Sequence, residues 1–128
     1  MEATENDFSR EIIGAAVEVQ RVLGSGLLES AYCAALALEL GDRGLQVQRE
    51  VPIVAEYKGR NLGVGYRADL LVENSVVVEV KALEIATDVH RAQLLSYLRL
   101  GGYRLGLLIN FREFPVATKG VSRIANRL

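Results

Sequence analysis

The stretch from Arg67 to Lys81 constrains this chain more than any other. It reads as two short apolar strands joined at Glu73-Asn74-Ser75, where Asn74 suits the tip because asparagine tolerates the left-handed conformation. Strand alternation places Leu70, Val72, Val76, Val78 and Val80 on one face and Leu71 and Val77 on the other. A sheet that is apolar on both faces has to be covered by helices on both faces. The spacing that joins Val72 to Val76 also sets Asp69 directly opposite Glu79. Lys81, two residues beyond Glu79, shares its face.

The rest of the chain supplies the cover. Phe8, Ile12, Ala15, Val19 and Val22 recur at helical steps over residues 7–23, and Gly24-Ser25-Gly26 breaks that helix. A second helix is expected from about Leu28 to about Arg43, with Gly44 as its stop. Strands follow at Val47–Tyr57, Val64–Val72 and Val76–Ala82, with Pro52 pointing to an edge or a bulge. Thr87 and Asp88 are cap candidates for a third helix ending at Gly101-Gly102. Tyr103–Phe111 reads as a fourth strand, and the tail from Gly120 as a fifth. The expected fold is a single domain over residues 1–128. It is an α/β protein, a three-layer α/β/α sandwich with a mixed sheet: an antiparallel meander, then a right-handed crossover to a parallel strand. With 128 residues, half of them hydrophobic, the chain can bury a real core. No apolar run approaches a membrane span, so no membrane association is expected.

Charges inside such a hairpin need a reason, because an unpaired buried charge is costly. Directly opposed residues have Cβ atoms roughly 5 Å apart, and two carboxylates that close repel unless a cation lies between them. A hard divalent cation with a lysine alongside suits phosphodiester hydrolysis. The plain alternative is a buried ion-pair network. Two other polar sets point toward the same centre. Glu29 and Tyr32 share a face of the second helix, although a carboxylate in a first turn is also favoured by the helix dipole. Gln93 and Tyr97 share a face of the third helix beside Leu94, Leu95 and Leu98. His90, the only histidine, reads as a surface or capping residue. Cys33, the only cysteine, reads as a small core residue of a reduced, cytoplasmic protein.

The net charge of −1 does not advertise a polyanion partner, but its distribution is uneven. Residues 1–88 hold 8 basic and 15 acidic side chains, and residues 89–128 hold 7 and 1. On charge alone these basic residues read as solvated faces and local ion pairs; where a phosphate backbone does cross, Arg91 and Arg99 are the expected nucleic-acid contacts.

These residues together resemble the PD-(D/E)xK nuclease superfamily: Asp69 on strand two, Glu79-Val80-Lys81 on strand three, and the order helix-strand-strand-strand-helix-strand of a restriction-endonuclease-like core. Ala68 stands where the superfamily's name has proline. Gly26-Leu27-Leu28-Glu29-Ser30-Ala31-Tyr32 is similar to the signature of the small bacterial GxxExxY proteins, and Gln93-Leu94-Leu95-Ser96-Tyr97 to the Gln-x-x-x-Tyr element of RecB-like nucleases. The resemblance implies a Mg²⁺- or Mn²⁺-dependent nuclease. Asp69, Glu79 and the Val80 carbonyl would be metal ligands, and Glu29 would hold a metal-bound water or second ion. Lys81 would activate the attacking water, and Gln93 and Tyr97 would position the phosphate. Nucleic acid, with DNA expected, is the implied partner, and the sequence shows no oligomeric state, a homodimer being compatible with it. The competing readings are a non-catalytic nucleic-acid-binding or regulatory module and a metal-dependent enzyme acting on another phosphate ester.

Overall fold

The computed structural model describes residues 3–127. Its elements are helices α1 (Glu5–Leu23), α2 (Glu29–Asp42) and α3 (Asp88–Gly101) and strands β1 (Val47–Tyr57), β2 (Arg60–Val72), β3 (Val76–Lys81), β4 (Leu105–Asn110) and β5 (Val121–Ala125), with a short π-helical turn at Val116–Gly120. The five strands form one sheet in the order β1-β2-β3-β4-β5. β1, β2 and β3 are antiparallel, β3 and β4 are parallel through the α3 crossover, and β5 returns antiparallel to β4. This is the mixed three-layer sandwich, with the N-terminal helix added to the core.

Two apolar clusters confirm the layering. Ile12, Ala15, Tyr32, Leu36 and Leu40 of α1 and α2 pack on Leu70, Val72, Val76, Val78 and Val80, together with Leu107 and Ile109 of β4. On the other face, Leu94 and Leu98 of α3 pack on Leu71, Val77 and Leu108. β4 is buried at every position, as a parallel strand covered on both sides should be. Among the described residues no helix is long and apolar enough to cross a membrane.

Local signals set most boundaries. Thr4 starts α1 by exchanging hydrogen bonds with Asp7, a capping box. Gly102 ends α3 in the left-handed conformation, its N–H on the Leu98 carbonyl. His90 is a capping residue, its Nδ1 accepting from the Thr87 N–H at 3.1 Å. Glu73 and Asn74 both adopt positive φ at the β2–β3 turn, and Val72 pairs with Val76. β1 is an edge strand with an irregularity between Val54 and Glu56, in keeping with Pro52.

One expectation needs correction. Val22 is 64 % exposed and does not belong to the α1 stripe. The helix turns Gln20 inward in its place. The Gln20 side chain donates to the Phe111 and Glu113 carbonyls at 2.9 and 2.7 Å and accepts from the Val116 N–H at 3.0 Å, fastening the β4–β5 connection to α1. Those partners lie more than ninety residues away, beyond the reach of periodicity.

Candidate active site

The β2–β3 register places Leu70 against Val78, and regular pairing stops there. The next two positions are Asp69 and Glu79. Their carboxylates take over from the ladder: Glu79 Oε1 accepts from the Asp69 N–H at 3.2 Å, and Asp69 Oδ2 accepts from the Val80 N–H at 2.8 Å. The β1–β2 ladder has a gap at the same level. Arg49 pairs with Leu70 and Val51 with Ala68, but Glu50, opposite Asp69, is unpaired and has φ 52°. That value is unusual for a residue with a side chain. Alternation also slips here, since Leu70 packs under α1 and α2 whereas Ala68 packs with the α3 cluster. The sheet thus opens at Asp69 on both of its sides.

The opening brings groups from both helical layers to the carboxylates. A cleft of about 450 Å³ is lined by Leu28, Glu29, Ser30, Cys33, Arg49, Glu50 and Asp69. Glu29 stands at the first residue of α2 and shares this cleft with Asp69. On the α3 side, burial pushes the Tyr97 hydroxyl up, and the charges of Glu79, Tyr66 and Asp69 add to it. Burial likewise raises the Cys33 thiol, followed by the charge of Asp69. Cys33 of α2 thus lines the cleft with Asp69, and Tyr97 of α3 lies within reach of the carboxylates' charge.

Glu79 is the strained member of the pair. It is only 6 % exposed. Burial, then the charge of Asp69, pushes its carboxyl up from 4.5 to about 8, and Lys81 offsets part of this. A buried carboxylate beside another carboxylate holds its proton until a cation relieves it.

The donor set fits a hard divalent cation. Asp69 Oδ1 and Glu79 Oε2 receive no N–H donor among the described residues. The Val80 N–H points at Asp69, and the N–H and C=O of one residue face the same edge of a strand, so the Val80 carbonyl faces the same gap. Among the described residues no group of three His, Cys, Asp or Glu side chains forms a closed metal cage. Two carboxylates, one carbonyl and several waters match Mg²⁺, which dehydrates reluctantly, better than a metal that wants an all-protein cage.

The remaining candidates separate. Lys81 is half-buried on β3, two residues beyond Glu79. Tyr97 packs beside the α3 cluster with its ring tilted against Tyr66, centroids 4.8 Å apart. Gln93, one turn earlier, is exposed. Arg91 is drawn toward β5, with an ion pair to Asp88 at 3.0 Å and a bond to Ser122 Oγ at 3.2 Å. Arg99 is exposed near the end of α3, and neither arginine lines the cleft. Tyr32 is structural: its ring is stacked on Phe111 at 4.6 Å, and its hydroxyl donates to the Gly24 carbonyl at 2.7 Å and accepts from the Leu27 N–H at 3.0 Å. It pins the loop that presents Glu29. Sequence reading missed Arg49, Glu50 and Cys33 as cleft residues. The one available signal was the adjacent charged pair Arg49-Glu50 interrupting β1.

A mixed sheet clad by helices on both faces, opened at an aspartate opposite a Glu-x-Lys strand, defines a nuclease-type α/β fold. Residues 6–124 match the family model of the PD-(D/E)XK nuclease superfamily, and the chain belongs to that superfamily. Searches among curated proteins and among solved structures gave no match.

Proposed function

We propose that the protein is a divalent-metal-dependent nuclease that hydrolyses phosphodiester bonds, with DNA as the expected substrate. The observation that carries this is the paired Asp69 and Glu79 carboxylates where the ladder ends, with Glu79 buried beside Asp69. Mg²⁺ or Mn²⁺, held by Asp69, Glu79 and the Val80 carbonyl, would supply Lewis-acid stabilisation of the phosphate and a more acidic bound water.

The chain's own residues have distinct tasks. Lys81 sets a positive charge on the Glu79 face, where it offsets charge developing on the phosphate and orients the attacking water. Glu29 lines the same cleft as Asp69 and would hold a metal-bound water or a second ion. Gln93 extends from the exposed side of α3, and Tyr97 is held beside the carboxylates by its packing, so together they position the phosphate. The lone thiol, Cys33, supports the expectation of a reducing, cytoplasmic setting.

The test is a cleavage assay on single-stranded, double-stranded and branched DNA and on RNA, with Mg²⁺, Mn²⁺ or chelator. Metal-dependent cleavage by the wild type that Asp69→Asn abolishes supports the reading. Absence of cleavage on every substrate with both metals, or undiminished cleavage by Asp69→Asn, overturns it.

A further inference from the structure

We infer that the outer half of the β1–β2 hairpin is a track for one polynucleotide strand leading to Asp69, an inference that rests on the phosphodiesterase reading above. β1 and β2 pair as far out as Tyr57 and Arg60, whereas β3 pairs with β2 only over Leu70–Val72. Among the described residues the hairpin beyond Ala68 is therefore a two-stranded ribbon with both edges free. α3 covers one face near the root, through Ile53 and the Tyr66–Tyr97 contact. A depression of about 390 Å³ is lined by both strands, chiefly by Pro52, Val54, Asn61, Gly63, Gly65 and Arg67, with Ile53 and Tyr66 also bordering it.

Three features give this depression its occupant. The first is its floor, which includes two residues without side chains, Gly63 and Gly65. A Cβ at Gly65 would come within 2.7 Å of the Ile53 carbonyl oxygen, so the close strand approach itself demands glycine there. Gly63 has φ 75° and open space above it, and its N–H bonds Asn61 Oδ1 at 2.7 Å. The second is charge. From Glu56 to Arg67 the ribbon carries Lys58, Arg60 and Arg67 against one acidic residue, Glu56, within a part of the chain where acids outnumber bases by nearly two to one. The third is continuity. Pro52 and Arg67 line the depression, and two residues further along each strand Glu50 and Asp69 line the catalytic cleft.

From Asn61 to Asp69 the ribbon advances roughly 26 Å at about 3.3 Å per residue, enough for several backbone phosphates. A ribbon two strands wide with a shallow bare floor accepts one chain. Tyr57, 60 % exposed at the tip, adds a face for base stacking. This path differs from the one expected over Arg91 and Arg99.

Fluorescence anisotropy with a labelled single strand and its duplex, in Ca²⁺ to hold cleavage off, tests the track. Arg60→Glu with Arg67→Glu should weaken single-strand binding about tenfold or more and flatten the log–log salt slope by about 1.4, at about 0.7 per contact. Val54→Lys, at a half-exposed groove position, should tighten binding and steepen the slope by about 0.7. This gain guards against a double variant that merely misfolds. Unchanged affinity in both variants overturns the track, as does failure of the wild type to bind any strand. Equal losses on the duplex overturn the single-strand assignment. If Val54→Lys instead dissolves a dimer and leaves binding alone, the ribbon is a self-association face and the inference falls. Cleavage measured alongside keeps the two claims apart: hairpin-dependent binding without metal-dependent cleavage supports the track and sinks the nuclease reading.

Discussion

Glu79→Gln should make the metal-free protein more stable at alkaline pH while destroying its metal site. In the wild type the folded protein holds the Glu79 proton up to about pH 8, against an ordinary 4.5. The native state therefore binds a proton that the unfolded chain has already lost. The stability attached to this group is fully present below about pH 4.5 and is lost as pH rises through 8. At about 1.4 kcal/mol per pH unit the whole swing is roughly 5 kcal/mol, and about 4 kcal/mol of it falls between about pH 5 and about pH 9. Water entering the opening would lower that figure. Glutamine keeps an oxygen to accept the Asp69 N–H and carries no charge, so it imitates the protonated state at every pH. Urea denaturation in chelator should show wild-type stability falling by a few kcal/mol over that range, with the variant nearly flat and the more stable of the two at the alkaline end. Mn²⁺ should restore the wild type at high pH and leave the variant unmoved. Below pH 8 its affinity for the wild type should climb about tenfold per pH unit as a proton is displaced. A variant whose stability follows the wild-type pH profile within about 0.5 kcal/mol would falsify the assignment of Glu79 as a strained, proton-holding partner of Asp69.

Lys81→Ala should lower cleavage by about 10²-fold or more with the fold intact, and, because Lys81 normally eases the ionisation of Glu79, should move the pH midpoint of Mn²⁺ binding upward; wild-type turnover would make the lysine structural. Gln20→Met should cost about 2–4 kcal/mol by stranding the Phe111 and Glu113 carbonyls and the Val116 N–H, and a loss under about 1 kcal/mol by urea denaturation would contradict the latch. Tyr32→Phe keeps the stack on Phe111 and loses two hydroxyl bonds. It should cost about 1–2 kcal/mol and leave calorimetric Mn²⁺ affinity unchanged, so a lost metal site would place Tyr32 in the machinery after all.

Local chemistry alone determined the architecture. Apolar alternation on both faces of Leu70–Val80 required two helical layers, and Asn74 at the turn set the register that aligns Asp69 with Glu79. The glycine stops at Gly44 and Gly102 ended their helices without help from distant residues. Only the tertiary structure decided how that alignment becomes a site. The ladder could have run on past Leu70 and Val78. It opens at the level where β1 breaks at Glu50, directly across from Asp69, and that coincidence involves a strand some twenty residues away in sequence. The same limit applies to Gln20, Tyr32, Cys33, Arg49 and Arg91. Their types and spacings read as surface, signature or filler, and their places follow from what the packed fold sets beside them: hydrogen-bond partners for Gln20, Tyr32 and Arg91, and the cleft for Cys33 and Arg49. Periodicity reports which face of its own element a residue occupies. What that face meets, and whether a charge there is paired, strained or free, is settled when the layers close.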